Sequence, residues 1–410
     1  MPNFSIALTG LQADTVALNT IGNNLANLNT TAFKGETTSF EDLFYQNIGT
    51  TGSGDNLQVG VGTRVGATTT DFTEGSTTTT DVDTDMAING NGFFVVQQGN
   101  TQSLTRAGNF QLDSSGNLIT TDGQNVMGYG VTSSGAINVN AGLVPITIPI
   151  SGNEAPSATS NLSLTTSLDA SAATGTTFAK PITIYDSLGT AHVATVTYDK
   201  TSASTWDYSI ALPAGDYTGT PVKTTGTLSF NSDGTLASPA ANVAGVTFPD
   251  MADGASDLSF SFNLYSAGGS PLVTQVAGSS NTSATSQNGY PAGTYQSFSV
   301  DDNGVISATF SNYQTSTVGQ IAVGTVTNTD GLSRTGGNDY QATLASGAVT
   351  AGVANVGSRG SISGETLEQS NIDISSEFSD LIVAQRAFEA NSKTVTTFDS
   401  VTQEAIGMIR

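Results

Sequence analysis

The sequence offers few residues that could carry out chemistry. Its 410 residues include no cysteine and a single histidine, His192. The absence of thiols removes disulfides, thiolate nucleophiles and Cys-based metal sites. With only one histidine, most nucleophile–base pairs are excluded as well. His192 lies between Ala191 and Val193 in an alternating run typical of a strand, so we interpret it as a surface or core residue rather than a catalyst.

Three short motifs resemble ligand sites without completing them. Asp81–Met86 (DVDTDM) begins like a calcium loop, but Met86 replaces its turn glycine and Gly92 replaces its last glutamate. We expect a solvated strand edge there. Gly60–Gly66 (GVGTRVG) lacks the Gly-Lys-Ser/Thr ending of a phosphate loop. Asp301–Gly304 (DDNG) is typical of a hairpin turn. The sequence therefore predicts no catalytic residue, no metal and no cofactor, although a carboxylate pair for glycoside cleavage stays open.

The amino-acid composition limits the kinds of partner that the chain could bind. The formal net charge is −23 with only eleven Lys+Arg, which argues against nucleic acid and against anionic membrane, because both need clustered positive charge. Only 11% of residues are charged, and the many Gly, Ser and Thr residues favour β-structure with short turns. No run of 18 apolar residues could insert into a bilayer. The first twenty residues lack a basic start and a continuous apolar region, so we expect any export to use a route other than a cleaved signal peptide.

The two ends of the chain are predicted to be long amphipathic helices. A helix of about 25 residues, roughly 37 Å long, is expected from Phe4, and one of about 35 residues, roughly 50 Å long, after the N-cap Asp373, with Glu377 in its first turn. The first stripe comprises Phe4, Ala7, Leu11, Leu18, Ile21, Leu25 and Leu28. The second comprises Ile374, Leu381, Ala384, Phe388, Val395, Phe398, Ala405 and Ile409, with the polar Asn391 and Thr402 in line. Such stripes must pair with each other or with copies of themselves. A helical hairpin that caps a β-domain is the alternative.

Between the helices, the pattern is of strands and turns. We predict a strand at Gly92–Gln98, a hairpin at Pro181–Asp199 turning at Ser187–Gly189, and a one-face-buried strand at Leu258–Ser266. Asp-Gly and Asn-Gly bends predict hairpins at Leu228–Leu236 and Phe298–Phe310. Two small-residue polar stretches, 155–177 and 277–293, are expected to bound an inserted β-rich block. The predicted fold class is mainly β with paired, coiled-coil-like terminal helices and two discontinuous or nested β-rich domains.

The ends of the chain resemble a known family. Gly10–Gly35 (GLQADTVALNTIGNNLANLNTTAFKG) is similar to the N-terminal signature of the rod and hook proteins of the bacterial flagellum. Ser370–Val401 is similar to their C-terminal signature, including its Ala384–Asn391 core, and Met86–Val96 resembles an internal strand of the family. The segment from Gln287 to Leu332 and the large inserted block resemble the hook members more than the smaller rod members.

The resemblance implies a structural subunit with no enzymatic activity, which polymerises into a curved helical tube. This tube would act as a universal joint that transmits torque from rod to filament and surrounds the export channel. It implies a terminal helical domain at 1–29 and 370–410, and a connecting segment at 30–75 and 358–369. The inner β-domain would be 76–148 and 287–357, and the outer inserted β-domain 149–286.

The resemblance also implies which side chains meet in the polymer. We expect the leucines of the first helix to form the helix contact and its asparagines to bond neighbouring subunits or a hydrated channel. Arg386 would either face solvent or pair with a neighbouring helix. The predicted assembly interface comprises Leu11, Leu18, Ile21, Asn23, Asn24, Leu25, Asn27, Leu28, Leu381, Ala384, Arg386, Phe388, Asn391, Val395 and Phe398.

Partners and location follow from the same resemblance. The partners implied are other copies of the chain, the distal rod, the hook cap, the hook–filament junction proteins and the flagellar type III export apparatus, with no nucleic acid and no membrane insertion. The location implied is the extracellular hook of the flagellum. Phe40 and Phe44 (FEDLF) resemble an element read at the export gate, with packing against a β-domain as the alternative. Rival functions are another axial protein, such as the distal rod subunit, and a secreted β-rich adhesin.

Overall fold

The described part of the chain begins and ends in helices, and strands fill most of the sequence between them. The structure, a computed structural model, describes residues 4–50, 54, 56–218 and 223–408. Ile409 of the predicted second stripe lies outside these residues. The first part of the chain forms α1 (Phe4–Ala26), β1 (Glu36–Asp42), β2 (Tyr45–Thr50), β3 (Asn56–Gly60), β4 (Thr63–Thr70), β5 (Thr77–Thr79), β6 (Met86–Asn89), β7 (Phe93–Gln98), β8 (Thr101–Thr105), β9 (Gln111–Leu112), β10 (Leu118–Ile119), β11 (Asn125–Gly130) and β12 (Val144–Pro145).

The rest of the chain continues in strands until the last helix. The middle forms β13 (Asn153–Glu154), β14 (Asn161–Asp169), β15 (Thr177–Tyr185), β16 (Ala191–Lys200), β17 (Thr205–Ala211), β18 (Lys223–Phe230), β19 (Leu236–Ser238), β20 (Val243–Phe248), β21 (Leu258–Asn263), β22 (Val273–Val276) and β23 (Asn281–Gln287). The end forms β24 (Gly293–Val300), β25 (Val305–Phe310), β26 (Thr315–Thr325), a 3₁₀ turn at Thr329–Gly331, β27 (Ser333–Gly336), β28 (Asp339–Gln341), β29 (Thr350–Val353), β30 (Ser361–Gly364), β31 (Thr366–Glu368) and α2 (Ile374–Gly407). The predicted fold class, mainly β with terminal helices, is confirmed.

The helix termini follow the local chemistry of the sequence. The side chain of Asp373 accepts a hydrogen bond from the backbone N–H of Ser376, and Glu377 lies in the first turn of α2, as predicted. The chain leaves α1 after Ala26, two residues before the predicted last leucine of the stripe. A turn follows, in which Ala32 adopts a positive φ of 54°. The two helices contain 23 and 34 residues, so α2 is longer by about three turns.

The chain divides into two compact units, which we call unit 1 (Met1–Ile150, Ser297–Ala308 and Ser316–Arg410) and unit 2 (Ser151–Gln296 and Thr309–Thr315). In unit 1, strands pair in the order β26-β11-β7-β8-β28-β27 around a core that includes Phe93, Leu104 and Tyr340. Strand pairs β5–β31 and β6–β30 join the beginning of this unit to its end. The two halves of the chain therefore meet just before α2 begins.

Unit 2 is built from two five-stranded sheets that share one core. One sheet has the order β15-β16-β17-β18-β19, and the other has β20-β21-β14-β22 with β23 beside β14. Inward residues alternate along the strands and include Trp206, Tyr198 and Phe262, all fully buried. The predicted hairpin turning at Ser187–Gly189 is confirmed by the register of β15 with β16.

The two polar stretches that are expected to bound the inserted block contain strands. β14 lies within 155–177 and β23 within 277–293, and the two strands pair with each other. The reason is the leucine alternation in Asn161–Asp169 (NLSLTTSLD), which buries Leu162, Leu164 and Leu168 despite the polar surroundings. None of the helices in the described residues is long and apolar enough to cross a membrane.

Candidate assembly site

The α1–α2 pair packs through small residues. Ala7 and Ala13 on α1 and Ala384 on α2 are buried, and a Cβ placed on Gly10 would lie 2.7 Å from Nδ2 of Asn391. Small residues let the two backbones approach closely, which a row of leucines would prevent. The larger members of the predicted stripes are therefore only half-buried: Leu11, Leu18, Ile21, Leu25, Leu28, Leu381, Val395 and Phe398.

A polar pair crosses the helix contact. Nδ2 of Asn391 donates to Oδ2 of Asp14 at 2.8 Å. Asp14 is the residue that interrupts the first apolar stripe, and Asn391 is the asparagine within the second. A polar pair in a helix contact favours one register over others, because a shift would leave both groups without partners.

The side chain of Asn24 makes its hydrogen bonds within the subunit. Its side chain is only 2% exposed, exchanges two hydrogen bonds with the backbone of Glu36, and donates to Oε1 of Glu377 at 3.0 Å. Burial raises the pKa of Glu377, although the bond from Asn24 opposes this. Asn24 therefore ties α1, β1 and α2 together. This corrects the expectation that it contacts a neighbouring subunit, since both of its polar groups already have partners within the chain.

The other two asparagines of this segment differ from Asn24. Asn27 donates to the backbone carbonyl of Asn23 at 2.9 Å and accepts a bond from Thr30, so it closes the end of α1. The side chain of Asn23 is exposed. Of the three, Asn23 is the one that leaves its amide at the surface of the subunit, and its role between subunits stays a prediction.

The outer face of the helix pair is apolar in places. Phe388 is exposed although it lies in the predicted stripe, and Arg386 is exposed and pairs with Glu389 three residues later on the same helix. The last turns of α2, residues 399–408, are exposed throughout. This segment carries the continuation of the stripe: Val401, Ala405 and Met408.

A buried ionic junction lies where the helices join the β-strands of unit 1. Nζ of Lys34 lies 2.5 Å from Oε1 of Glu368, and NH1 of Arg106 lies 3.3 Å from Oε2 of the same carboxylate, with all three side chains buried. Lys34 also donates to the carbonyl of Thr73. Burial lowers the pKa of Lys34, an effect that its bond to Glu368 partly offsets. This junction joins the segment after α1, the β-strands of unit 1 and the strand before α2.

A second set of contacts reinforces the junction. The guanidinium of Arg334 pairs with Glu36 at 3.3 Å and stacks on the ring of Phe33 at 5.3 Å. The side chain of Asn371 accepts from the backbone N–H of Gly35 and donates to the carbonyl of Asp71. Sequence reasoning missed these residues. The one available signal was the scarcity of cations, since eleven Lys+Arg in 410 residues makes each a candidate for a specific partner.

The connecting strands expose aromatic and aliphatic side chains. Phe40 on β1 is half-exposed and borders a groove of about 310 Å³ between α1, α2 and β1. Phe44, between β1 and β2, is 80% exposed. Neither phenylalanine enters a core of the described structure. The hairpin β2–β3 carries further exposed apolar residues, among them Tyr45, Ile48 and Leu57.

The incomplete ligand motifs have structural roles. Asp81–Asp85 includes a turn at Asp83–Thr84 and a β-bridge from Asp85 to Asn109, and it leads into β6, which starts at Met86 and buries that side chain. Gly60–Gly66 lies across the ends of β3 and β4. Asp301–Gly304 makes the predicted hairpin turn, with Gly304 at a φ of 76°. His192 is buried in unit 2 beside carboxylates, as described below.

Comparison with known proteins places these features in a class. Family models match residues 4–34 (Flagella basal body rod protein), 87–154 (Flagellar hook protein FlgE/F/G D1 domain), 159–290 (Flagellar basal body protein FlaE D2 domain) and 364–408 (Flagellar basal body rod FlgEFG protein C-terminal). The first and last of these cover α1 and α2. With terminal helices paired beside β-rich units, the chain is an axial protein of the bacterial flagellum.

Individual relatives refine this class. The chain is 34% identical to the flagellar hook protein FlgE of Escherichia coli over 418 residues, covering 99% of both chains. It is also 34% identical to that of Salmonella typhimurium, covering 99% of this chain and 100% of the relative. The crystal structure of Helicobacter pylori flagellar hook protein FlgE2 shares the fold with a TM-score of 0.52 at 17% identity, covering 71% of this chain and all of that one. The chain belongs to the flagellar hook protein FlgE family.

Proposed function

We propose that this chain is the structural subunit of the bacterial flagellar hook and polymerises through α1 and α2 into a curved helical tube. The tube transmits torque from rod to filament and surrounds the export channel. The observation that carries the proposal is the stripe at the end of α2, which is exposed along residues 399–408. An apolar stripe left in water is an association surface. Contacts of this head-to-tail kind build open helical polymers when they do not close on themselves.

The order of the segments along the chain supports a different structural role for each of them in the tube. Residues 1–29 and 370–410 form the inner wall of the tube, and 30–75 with 358–369 form the connecting segment. Residues 76–148 and 287–357 form the inner β-domain, and 149–286 the outer one. The buried junction of Lys34, Arg106 and Glu368 supports this assignment, because it fixes the connecting segment to the inner β-domain. Torque can then be transmitted through a rigid connection.

Partners and export complete the proposal. The subunit contacts the distal rod, the hook cap and the hook–filament junction proteins, and it crosses the cell envelope through the flagellar type III apparatus. Exposed Phe40 and Phe44 support a recognition role in export, since neither is needed to complete a core of the described structure. The chain acts as a structural protein, not as an enzyme.

Electron microscopy of the purified, assembled chain tests the function. We expect curved tubes with a central channel. Straight rods would point instead to a rod subunit, and failure of the full-length chain to form any ordered polymer across salt, pH and concentration would contradict the proposal. Sedimentation measures the critical concentration in the same samples.

Substitution in the helix contact is a sharper test. Leu25→Asp or Leu381→Asp is expected to block polymerisation, because each puts a carboxylate into the half-buried contact between α1 and α2. Unit 2 should stay folded. Its core holds the only tryptophan, Trp206, so the tryptophan fluorescence spectrum monitors that unit separately. Gln385→Asp, on the exposed face of α2, is the matched control and should assemble. Normal tubes from Leu25→Asp and Leu381→Asp would refute the helix contact.

A further inference from the structure

The single histidine of the chain is held between two carboxylates. Nε2 of His192 lies 2.9 Å from Oδ2 of Asp186, and Nδ1 lies 3.0 Å from Oδ2 of Asp216. A neutral imidazole carries one N–H and cannot donate from both nitrogens. Two ionised acceptors, one at each nitrogen, therefore select the doubly protonated, positively charged ring.

The acceptor on one side is rigid and ionised. Oδ1 of Asp186 accepts hydrogen bonds from the backbone N–H groups of Leu188 at 2.8 Å and Thr190 at 2.9 Å, which leaves Oδ2 facing His192. Burial alone would raise the pKa of Asp186, but its hydrogen bonds, that with His192 foremost, lower the pKa to about 2. These contacts therefore favour the ionised form of this carboxylate.

The groups around His192 come from three loops of unit 2. Asp186 lies in the β15–β16 turn, Asp216 in residues 212–218 after β17, and Asp253 in residues 249–257 between β20 and β21. Backbone contacts already join the last two loops: the N–H of Ala252 donates to the carbonyl of Asp216 at 3.0 Å. Through its two side-chain hydrogen bonds, the imidazolium of His192 on β16 connects Asp186 in the β15–β16 turn with Asp216 in residues 212–218.

The charge balance of the cluster depends on the ring proton. Asp253 places a carboxylate oxygen within 4.8 Å of the ligand atoms of Asp186 and His192. The residue opposite His192 on β15 is the apolar Ile184. Within the described ranges, no lysine or arginine forms an ion pair with any of the three aspartates. If His192 loses its proton, these carboxylates face one another with no cation between them.

We propose that His192 is a proton-dependent clamp, whose charged form holds the three loops together at this end of unit 2 and whose neutral form releases residues 212–218. The ring has no lone pair free for a metal ion in this state, because both nitrogens donate. This inference stands independently of the role of the chain in the hook. It adds a proton-sensitive element to a unit that otherwise consists of packed sheets.

The direction of the pH dependence follows from linkage. Burial of the ring lowers the pKa of His192, but the hydrogen bonds to Asp186 and Asp216 outweigh burial and raise it above the ordinary 6.5. A raised pKa in the folded state means that the stabilisation is complete below the unfolded pKa and is lost as pH rises through the folded one. Unit 2 should therefore loosen as the pH rises above 6.5 and through the pKa of His192 in the folded state.

Nuclear magnetic resonance on the full chain tests the clamp without any substitution, because one histidine gives one set of ring signals. With ¹⁵N-labelled histidine, we expect both ring nitrogens to be protonated at pH 6.5, and a midpoint higher than that of the same chain in urea. Hydrogen exchange of residues 212–218 should accelerate as the ring deprotonates. A native midpoint at or below the value in urea, or a ring protonated on one nitrogen only at pH 6.5, would overturn the clamp.

Two variants and a metal titration complete the test. Asp216→Asn should lower the native midpoint towards the value in urea, whereas Asp207→Asn, on β17 of the same unit, should leave it unchanged. His192→Gln should abolish the pH dependence of the tryptophan-monitored melting temperature between pH 6 and 9. If His192→Gln does not fold, the titrations of the wild type and of Asp216→Asn still test the clamp. Stoichiometric binding of Zn²⁺ at pH 7 to chelator-treated protein, with loss of a ring proton, would also overturn the proposal.

Discussion

Replacing Glu368 with glutamine is expected to destabilise unit 1 by about 3–5 kcal/mol, the usual cost of removing one partner from a buried ion pair. The substitution leaves Lys34 and Arg106 buried without a counter-charge. It also weakens the hydrogen bond that the backbone N–H of Gly75 donates to Oε1 of Glu368 at 3.0 Å. Denaturant unfolding followed by far-ultraviolet circular dichroism measures the loss, while Trp206 fluorescence should show unit 2 unchanged.

A matched control separates burial from charge. Glu41→Gln removes the same charge from the exposed pair of Glu41 and Arg64 on β1 and β4, and should cost less than about 1 kcal/mol. Equal shifts from the two variants would contradict a structural role for the junction. The assembly readout is also informative, because a loosened junction should yield tubes of irregular curvature or none.

The pH response of Glu368→Gln has a defined sign. Burial already lowers the pKa of Lys34, and removing the bond from Glu368 lowers it further. In the variant, the unfolded chain then binds more protons at this lysine than the folded chain does, so stability rises with pH. The deficit relative to wild type should therefore shrink between pH 7 and pH 10. A deficit that stays constant would mean that Lys34 is not buried as a cation.

Val401→Asp is expected to prevent assembly while leaving the monomer as stable as wild type. The side chain of Val401 is 50% exposed in the free chain, so the change costs the monomer little. In the polymer, the same position would place a carboxylate in an apolar contact, which is unfavourable. A loss of about 1.4 kcal/mol per subunit raises the critical concentration about tenfold.

The control for Val401 lies one residue away. Ser400→Asp adds the same charge to the neighbouring polar face of α2, near Glu404, and should assemble with a critical concentration close to that of wild type. Sedimentation of both variants, with electron microscopy of the pellets, gives the comparison. If Val401→Asp assembles at the critical concentration of the wild type, the exposed stripe is not the polymer contact.

Much of the fold could be predicted from local patterns. The 3-4 spacing located both helices, Asp373 was identified as the cap of α2, and the Asp-Gly and Asn-Gly bends located hairpins that the structure contains. Each of these features depends on residues a few positions apart. Polar composition did not predict β14 within 155–177, because strand burial depends on the alternation of a few leucines and not on the average of the segment.

The candidate site was predicted less completely. Leu381, Ala384 and Asn391 lie on the face of α2 that meets α1, in line with the stripe. Nothing in the local pattern of Asn23, Asn24 and Asn27 distinguishes them, yet one is buried against Glu36 and Glu377, one closes a helix, and one is exposed. Their different environments come from what the fold brings next to each.

By itself, the sequence determined the elements and the family: two terminal helices with apolar stripes, many short strands, and termini that resemble flagellar axial proteins. Only the tertiary structure decided the partners of the charged groups. Glu368 meets Lys34 from 334 residues away, and His192 meets Asp216 across a loop. Periodicity reports which face of an element is apolar, whereas a buried ion pair depends on where distant segments meet once the cores have formed.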